Sequence, residues 1–288
     1  MRVLGVEPTG IAKIANSRGI PTLQAFFSED VAQGILKKEG PASLITAANV
    51  FAHVANLGPC LRGIHALLGD RGTFISESHY LLDLIDTLQY DTIYHEHLRF
   101  YSIKPMQDMM KRFGFSVVDA ERIPNHGGSI RVYAVKGTGN NPSGRLQELV
   151  KQEESYGLYG SALYATFAQR VRQSKWKLMH LLSDLKMKGH RIAGIGSPGR
   201  SSTVMNYCGI GPDYLDYTAE QATSLKVGLF TPGTHVPVVD EKRLFEDQPE
   251  YALVLAWHLG ETIPRKLRSK GLRSKFIMPL PDPVILDW

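Results

Sequence analysis

Cysteine is scarce in this chain. Cys60 and Cys208 are the two in 288 residues, and they stand far apart. That rules out a cysteine-rich zinc module or a disulfide scaffold built from these residues, and a reducing, cytoplasmic setting is the matching expectation. Long hydrophobic runs are missing too. No stretch reaches the roughly 18 apolar residues of a membrane span, so no membrane partner is expected. The opening Met1-Arg-Val-Leu-Gly-Val-Glu7 lacks the apolar centre and cleavage site of a secretory leader. Charge of one sign is not concentrated. The net charge is +5, and the basic run from Arg265 to Lys275 carries no aromatics until Phe276. A nucleic-acid surface needs basic and aromatic residues interleaved, so no nucleic acid is expected. A small phosphate-bearing molecule suits this mild basicity.

What is present is an ordinary globular composition. Hydrophobic residues make up 43% and charged residues 21%, which excludes disorder over the whole length. The length predicts two domains. Residues 1–135 alternate short strands (2–7, 44–50, 72–77) with helices (11–18, 61–68, 106–113), then end in a pair of strands at 115–118 and 129–135. Residues 136–188 open on a turn-rich linker and become a helical connector. Residues 189–288 resume the strand–helix rhythm, with strands at 191–195, 214–217, 251–256 and 275–279. The fold class expected is α/β, with parallel sheets flanked by helices.

Five stretches carry candidate chemistry. Glu7 ends the first strand, where an acid can accept ribose hydroxyls or favour the start of the next helix. Tyr94-His95-Glu96-His97 lies where six of the ten histidines gather, between His53 and His126. It reads as a proton-transfer site, a His-x-His metal pair completed by His53 or His126, or a buried polar cluster. Nearby aromatics favour a ligand pocket. Asn125-His-Gly-Gly-Ser129 followed by Arg131 lets the backbone approach a ligand or take a positive φ. Gly194-Ile-Gly-Ser-Pro-Gly199 matches the dinucleotide fingerprint, which keeps an NAD-linked oxidoreductase as an alternative. Asp213 and Asp216 are at about the right distance, but neither is placed at a clean strand end. Pro232-Gly-Thr-His-Val-Pro237, with Lys226 upstream, is a rigid loop offering two phosphate partners, Lys226 and His235.

Taken together, Val3-Leu-Gly-Val-Glu-Pro8, Ala48-Asn-Val-Phe-Ala-His53, Tyr94-His-Glu-His97, His126-Gly-Gly-Ser-Ile-Arg131, Asn206-Tyr-Cys-Gly209 and Pro232-Gly-Thr-His-Val-Pro237 resemble the S-adenosylmethionine-dependent sugar C-methyltransferases. The resemblance spans nearly the whole chain. It implies an incomplete Rossmann-like class I methyltransferase domain (1–135), the helical connector (136–188) and a second Rossmann-like α/β domain that binds substrate (189–288). It also implies methylation of a carbon next to a ketone in a nucleotide-linked keto-deoxysugar. His97 is then the general base. Tyr94, Glu96 and His53 complete the catalytic group, with His53 placed to stabilise the enolate oxygen. Glu7, Phe27 and Asn49 would hold the cofactor. His95, His126, Ser129, Arg131, Ser197, Arg200, Ser201, Lys226 and His235 would face the substrate.

Two family features are not found in this sequence, the N-terminal zinc module and the Gly-rich loop that cradles the cofactor. A missing N-terminal segment is therefore expected, together with weak S-adenosylmethionine binding by this chain alone. A non-catalytic, nucleotide-sugar-binding remnant is the other alternative.

Overall fold

The computed structural model describes residues 2–287. In chain order the elements are β1 (Gly5–Val6), α1 (Ile11–Ser17), β2 (Thr22–Leu23), α2 (Glu29–Glu39), β3 (Ala42–Ala48), α3 (Leu57–Leu67), β4 (Leu68–His79) and α4 (Leu81–Asp86). Next come α5 (Ile103–Arg112), β5 (Phe115–Ile123), β6 (Ser129–Lys136), α6 (Gly144–Ser155) and α7 (Ser161–Met187). The chain ends with β7 (Ile192–Ile195), α8 (Gly199–Cys208), β8 (Thr218–Glu220), β9 (Val238–Asp240), α9 (Lys242–Asp247), β10 (Tyr251–Val254), α10 (Thr262–Ser269), β11 (Lys275–Met278) and β12 (Val284–Leu286). None of the described helices is long and apolar enough to cross a membrane.

The chain forms two compact units. Unit one comprises Met1–Tyr80, Leu98–Ile123 and Ser129–Tyr156. It holds a parallel pair, β1–β2, and a separate four-stranded sheet in the order β3-β4-β6-β5. In that sheet β3 runs parallel to β4, and the other pairings are antiparallel. Phe51, Phe74 and Phe115 stack through its core, with ring centroids 5.6 and 6.3 Å apart along the series. Buried Glu153 on α6 accepts the Ile103 N–H at 2.8 and 3.1 Å. This carboxylate caps the first turn of α5, where orphan amides and the helix dipole favour an anion.

Unit two comprises Leu81–His97, Pro124–Gly128 and Gly157–Trp288. Its six-stranded sheet runs β12-β11-β10-β7-β8-β9, parallel except for β12. Apolar clusters cover both faces. Leu182, Leu253 and Ile277 lie in one cluster, Ala193, Ala252 and Phe276 in the other. Strands leave β7 first toward β8 and β9 and later toward β10 on its other side. Their order therefore reverses between β7 and β10, where α/β sheets offer a ligand crevice at the carboxyl ends of the strands.

Both units are α/β and Rossmann-like, as expected, but the main sheet of unit one is mixed rather than parallel, because β6 pairs antiparallel with both β4 and β5. Several elements depart from the sequence reading. The strand expected at 214–217 is a turn, and the strand itself is β8 (Thr218–Glu220). The helix expected at 61–68 ends at Leu67 and runs straight into β4, because the ladder to β3 begins at Leu68. Helix α2 was not anticipated, although Ser28 accepts the Val31 N–H at 3.3 Å, acids fill its first turn and lysines its last.

Candidate active site

Residues 94–97 form neither a strand nor a helix. The His97 N–H donates to the Tyr94 carbonyl at 3.0 Å, closing a tight turn after the 3-10 turn Tyr90–Thr92. The turn puts the rings of Tyr94 and His97 side by side, 4.4 Å between centroids, and leaves His95 and Glu96 exposed. The rings of His95 and His97 both lie beside Tyr94, at 6.1 and 4.4 Å between centroids. Among the described residues, no three His, Cys, Asp or Glu side chains gather at metal-ligand spacing.

His97 Nδ1 lies 2.7 Å from the Thr92 carbonyl oxygen. A carbonyl only accepts, so Nδ1 carries the proton and donates it. Neutral His97 therefore has its basic lone pair on Nε2. Burial, then the Glu96 carboxylate, raises the Tyr94 pKa above that of an ordinary tyrosine. The phenol stays protonated and can donate a hydrogen bond.

Directly before this turn lies a buried cluster. Asp91 is fully buried and accepts from Arg200 Nε at 2.6 Å, Arg200 Nη2 at 2.8 Å and Trp257 Nε1 at 2.7 Å. The Arg200 guanidinium also lies over the Trp257 ring, 5.0 Å from its centroid. Arg200 opens α8 just beyond β7, and Trp257 follows β10, so the two come from opposite sides of the sheet's switch point. Gln89 accepts from Arg200 at 3.2 Å and donates to the Gly127 carbonyl at 2.6 Å.

The paired glycines have a structural use. Gly127 and Gly128 take φ values of 87° and 126°. A Cβ added to them would fall 2.8 Å from Gln89 and 2.3 Å from Asp83. His126 sits beside them, exposed, at φ 55°. His258 was not singled out in the sequence. It lies in the 3-10 turn Trp257–Leu259, and its buried Nδ1 has no hydrogen-bond partner among the described residues. Burial, then the Arg200 charge, pulls its pKa down to about 4, so it is neutral near pH 7.

In the Gly-rich loop between β7 and α8, the Ser197 N–H donates to Glu220 Oε1 at 2.6 Å, and Lys226 Nζ donates to the Ser197 carbonyl. Ser201 is buried and donates to the Pro198 carbonyl at 2.7 Å. Glu220 ends β8, so it, rather than Asp213 or Asp216, is the acid at the neighbouring strand end. That residue was invisible while the strand was placed at 214–217. His235 is exposed in its rigid loop at φ 58°.

The remaining candidates lie in unit one. Glu7 directly follows β1 and accepts the Thr9 hydroxyl and the Thr9 N–H, the latter at 2.8 Å, which together lower its pKa. Asn49 follows β3 at φ 53° and donates its N–H to the Glu77 carbonyl at 2.8 Å. The Phe27 ring leans on α3 at Gly63, where a Cβ would come within 3.1 Å of it. His53 is exposed in the turn between β3 and α3, its N–H donating to the Val50 carbonyl. Ser129 is fully buried at the start of β6. Arg131 pairs with Glu77 and Glu121, each at 2.9 Å, beside a cavity of about 280 Å³ also lined by Tyr133 and Thr46.

Residues 124–281 match the family described as the C-methyltransferase C-terminal domain, and residues 2–120 match a methyltransferase domain. The chain is similar to the C-methyltransferase NovU of Streptomyces niveus, 31% identical over 289 residues, covering 99% of this chain and 69% of that protein. Among solved structures, it is similar over 47% of its length to one in a complex of the Haloferax volcanii Trm112 methyltransferase activator with a putative methyltransferase. That match covers 72% of the other chain, with a TM-score of 0.38 and 11% identity. It is likewise similar to the Burkholderia thailandensis 1,6-didemethyltoxoflavin-N1-methyltransferase, over 47% of this chain and 61% of that one, with a TM-score of 0.34 and 20% identity. The chain belongs to the C-methyltransferase family. It is an S-adenosylmethionine-dependent methyltransferase.

Proposed function

We propose that the chain methylates a carbon next to a ketone in a nucleotide-linked keto-deoxysugar, with His97 as general base. The observation that carries this reading is the bond from His97 Nδ1 to the Thr92 carbonyl. It assigns the ring proton to Nδ1 and gives Nε2 the character needed to take a proton from an acidified carbon. Tyr94, held protonated beside His97, positions the sugar or shapes the base. Glu96 tunes Tyr94 through its charge. His95, His126, Ser197, Ser201, Lys226 and His235 remain proposed substrate contacts of unit two, and Ser129 and Arg131 of unit one.

The donor set of unit one fits part of the cofactor. The Glu7 carboxylate stands at a strand end, as an acceptor of ribose hydroxyls must. We assign Phe27 to the adenine, Asn49 to the methionyl part and His53 to the enolate oxygen. When bound, S-adenosylmethionine supplies an already activated methyl group, so the protein's task is to position the carbon and exclude water.

The test is transfer of labelled methyl from S-adenosylmethionine to a nucleotide-linked keto-deoxyhexose. His97→Gln is expected to lower the rate by about 10²–10⁴-fold at unchanged thermal stability. A His97→Gln protein with near wild-type turnover would remove His97 as the base. Substrate binding without transfer, in a protein that also binds the cofactor, would support a non-catalytic remnant.

A further inference from the structure

We infer that Asp91, Arg200 and Trp257 form a positioning clasp that sets the tautomer of His97. The inference rests on the reading of His97 as the base. Asp91 and Thr92 are neighbours in one 3-10 turn. The Thr92 carbonyl accepts the Tyr94 N–H at 3.1 Å as well as His97 Nδ1 at 2.7 Å. Whatever fixes this turn therefore fixes the oxygen that holds the His97 proton.

Asp91 does the fixing through three charge-assisted or polar bonds of 2.6–2.8 Å. Its donors come from the first turn of α8 and from the 3-10 turn after β10. Arg200 grips both carboxylate oxygens with its planar fork, which sets orientation as well as distance, while the Trp257 N–H fills a further acceptor site. Gln89, just before the turn, carries the same guanidinium to the Gly127 carbonyl.

Stability alone gives little reason for such a pair. Replacing a buried ion pair by apolar groups of equal volume is often neutral or stabilising. A charged fork is, however, well suited to hold a short turn in one orientation. If the turn shifts, His97 loses its partner at Nδ1 and the proton redistributes to Nε2, which blocks the base. Asp91, Arg200 and Trp257 are thus positioning residues that act through Thr92 and His97.

The test uses the full chain and two readouts. Heteronuclear NMR of the imidazole nitrogens reports the His97 tautomer without substrate, and methyl-transfer kinetics across pH report kcat and KM. Arg200→Lys keeps the charge but loses the fork. It is expected to move a large share of the His97 proton to Nε2 and to lower kcat about 10–100-fold with KM within about 3-fold. Trp257→Phe keeps the ring but loses the N–H, with the same tautomer shift on a smaller scale. Should Arg200→Lys not fold, Trp257→Phe decides. A folded variant whose tautomer ratio and kcat match the wild type overturns the clasp. If His97→Gln stays active while the tautomer shifts, the base reading fails and the clasp stands.

Discussion

The two units treat their apolar residues differently. In unit two all four residues of β7 are buried. In unit one the first two strands are two residues long, and Val3, Leu4, Ile11 and Ile20 around them are 41–59% exposed. Similar residue types reach different ends because burial needs a partner surface. The sheet of unit two has apolar clusters on both faces, and the pair β1–β2 shares no ladder with the main sheet of unit one. The polar chemistry follows the same division. Asp91, Arg200 and Trp257 are locked together inside unit two, whereas Glu7 in unit one is held by Thr9 at the surface.

Core truncation breaks this comparison most severely. Leu253→Ala, at a fully buried site on β10, is expected to cost about 2–5 kcal/mol in denaturant unfolding. Leu23→Ala, on β2 and 42% exposed, is expected to change stability by no more than about 0.5 kcal/mol. Equal losses at the two sites would show that the surface around β2 is covered in solution. Gly128→Ala combines a forbidden φ with a clash against Asp83, and a loss of about 1–3 kcal/mol is expected from its thermal melt.

A smaller effect sharpens the contrast through pH. The folded value of His258 lies below that of an unfolded histidine, about 6.5. Below that value the unfolded state binds more protons, so stability contributed by the neutral ring is lost as pH falls from about 6.5 toward about 4. Comparing the pH dependence of unfolding in the wild type and in His258→Gln checks this. The substitution is expected to flatten the acid side of the curve.

Much of the fold was legible because glycine and hydrophobic period mark elements locally. The helices expected at 11–18 and 106–113 are α1 and α5, and Gly19 and Gly114 take positive φ just past them. Elements whose evidence is tertiary were less legible. β8 has three residues, too few for a period, and it exists because Thr218–Glu220 pairs with β7 on one side and β9 on the other. The site divides in the same way. Tyr94 and His97 stood out as neighbours in sequence. The partnership of Asp91 with Arg200 spans 109 positions and that with Trp257 spans 166, so no local pattern announces it. His258 carried no motif at all and emerges only from where β10 ends.

The break between β1–β2 and the other sheet of unit one also bears on cooperativity. Strands that share a ladder melt together, whereas a two-stranded ribbon this short is marginal in water on its own. The segment from β1 to β2, with α1 between them, is therefore expected to open before β3 to β6 unpair. Hydrogen exchange will record two populations of amides in unit one, and a heating scan will show a sloping baseline ahead of the main transition. Any ligand that grips Glu7 also stabilises that ribbon against opening.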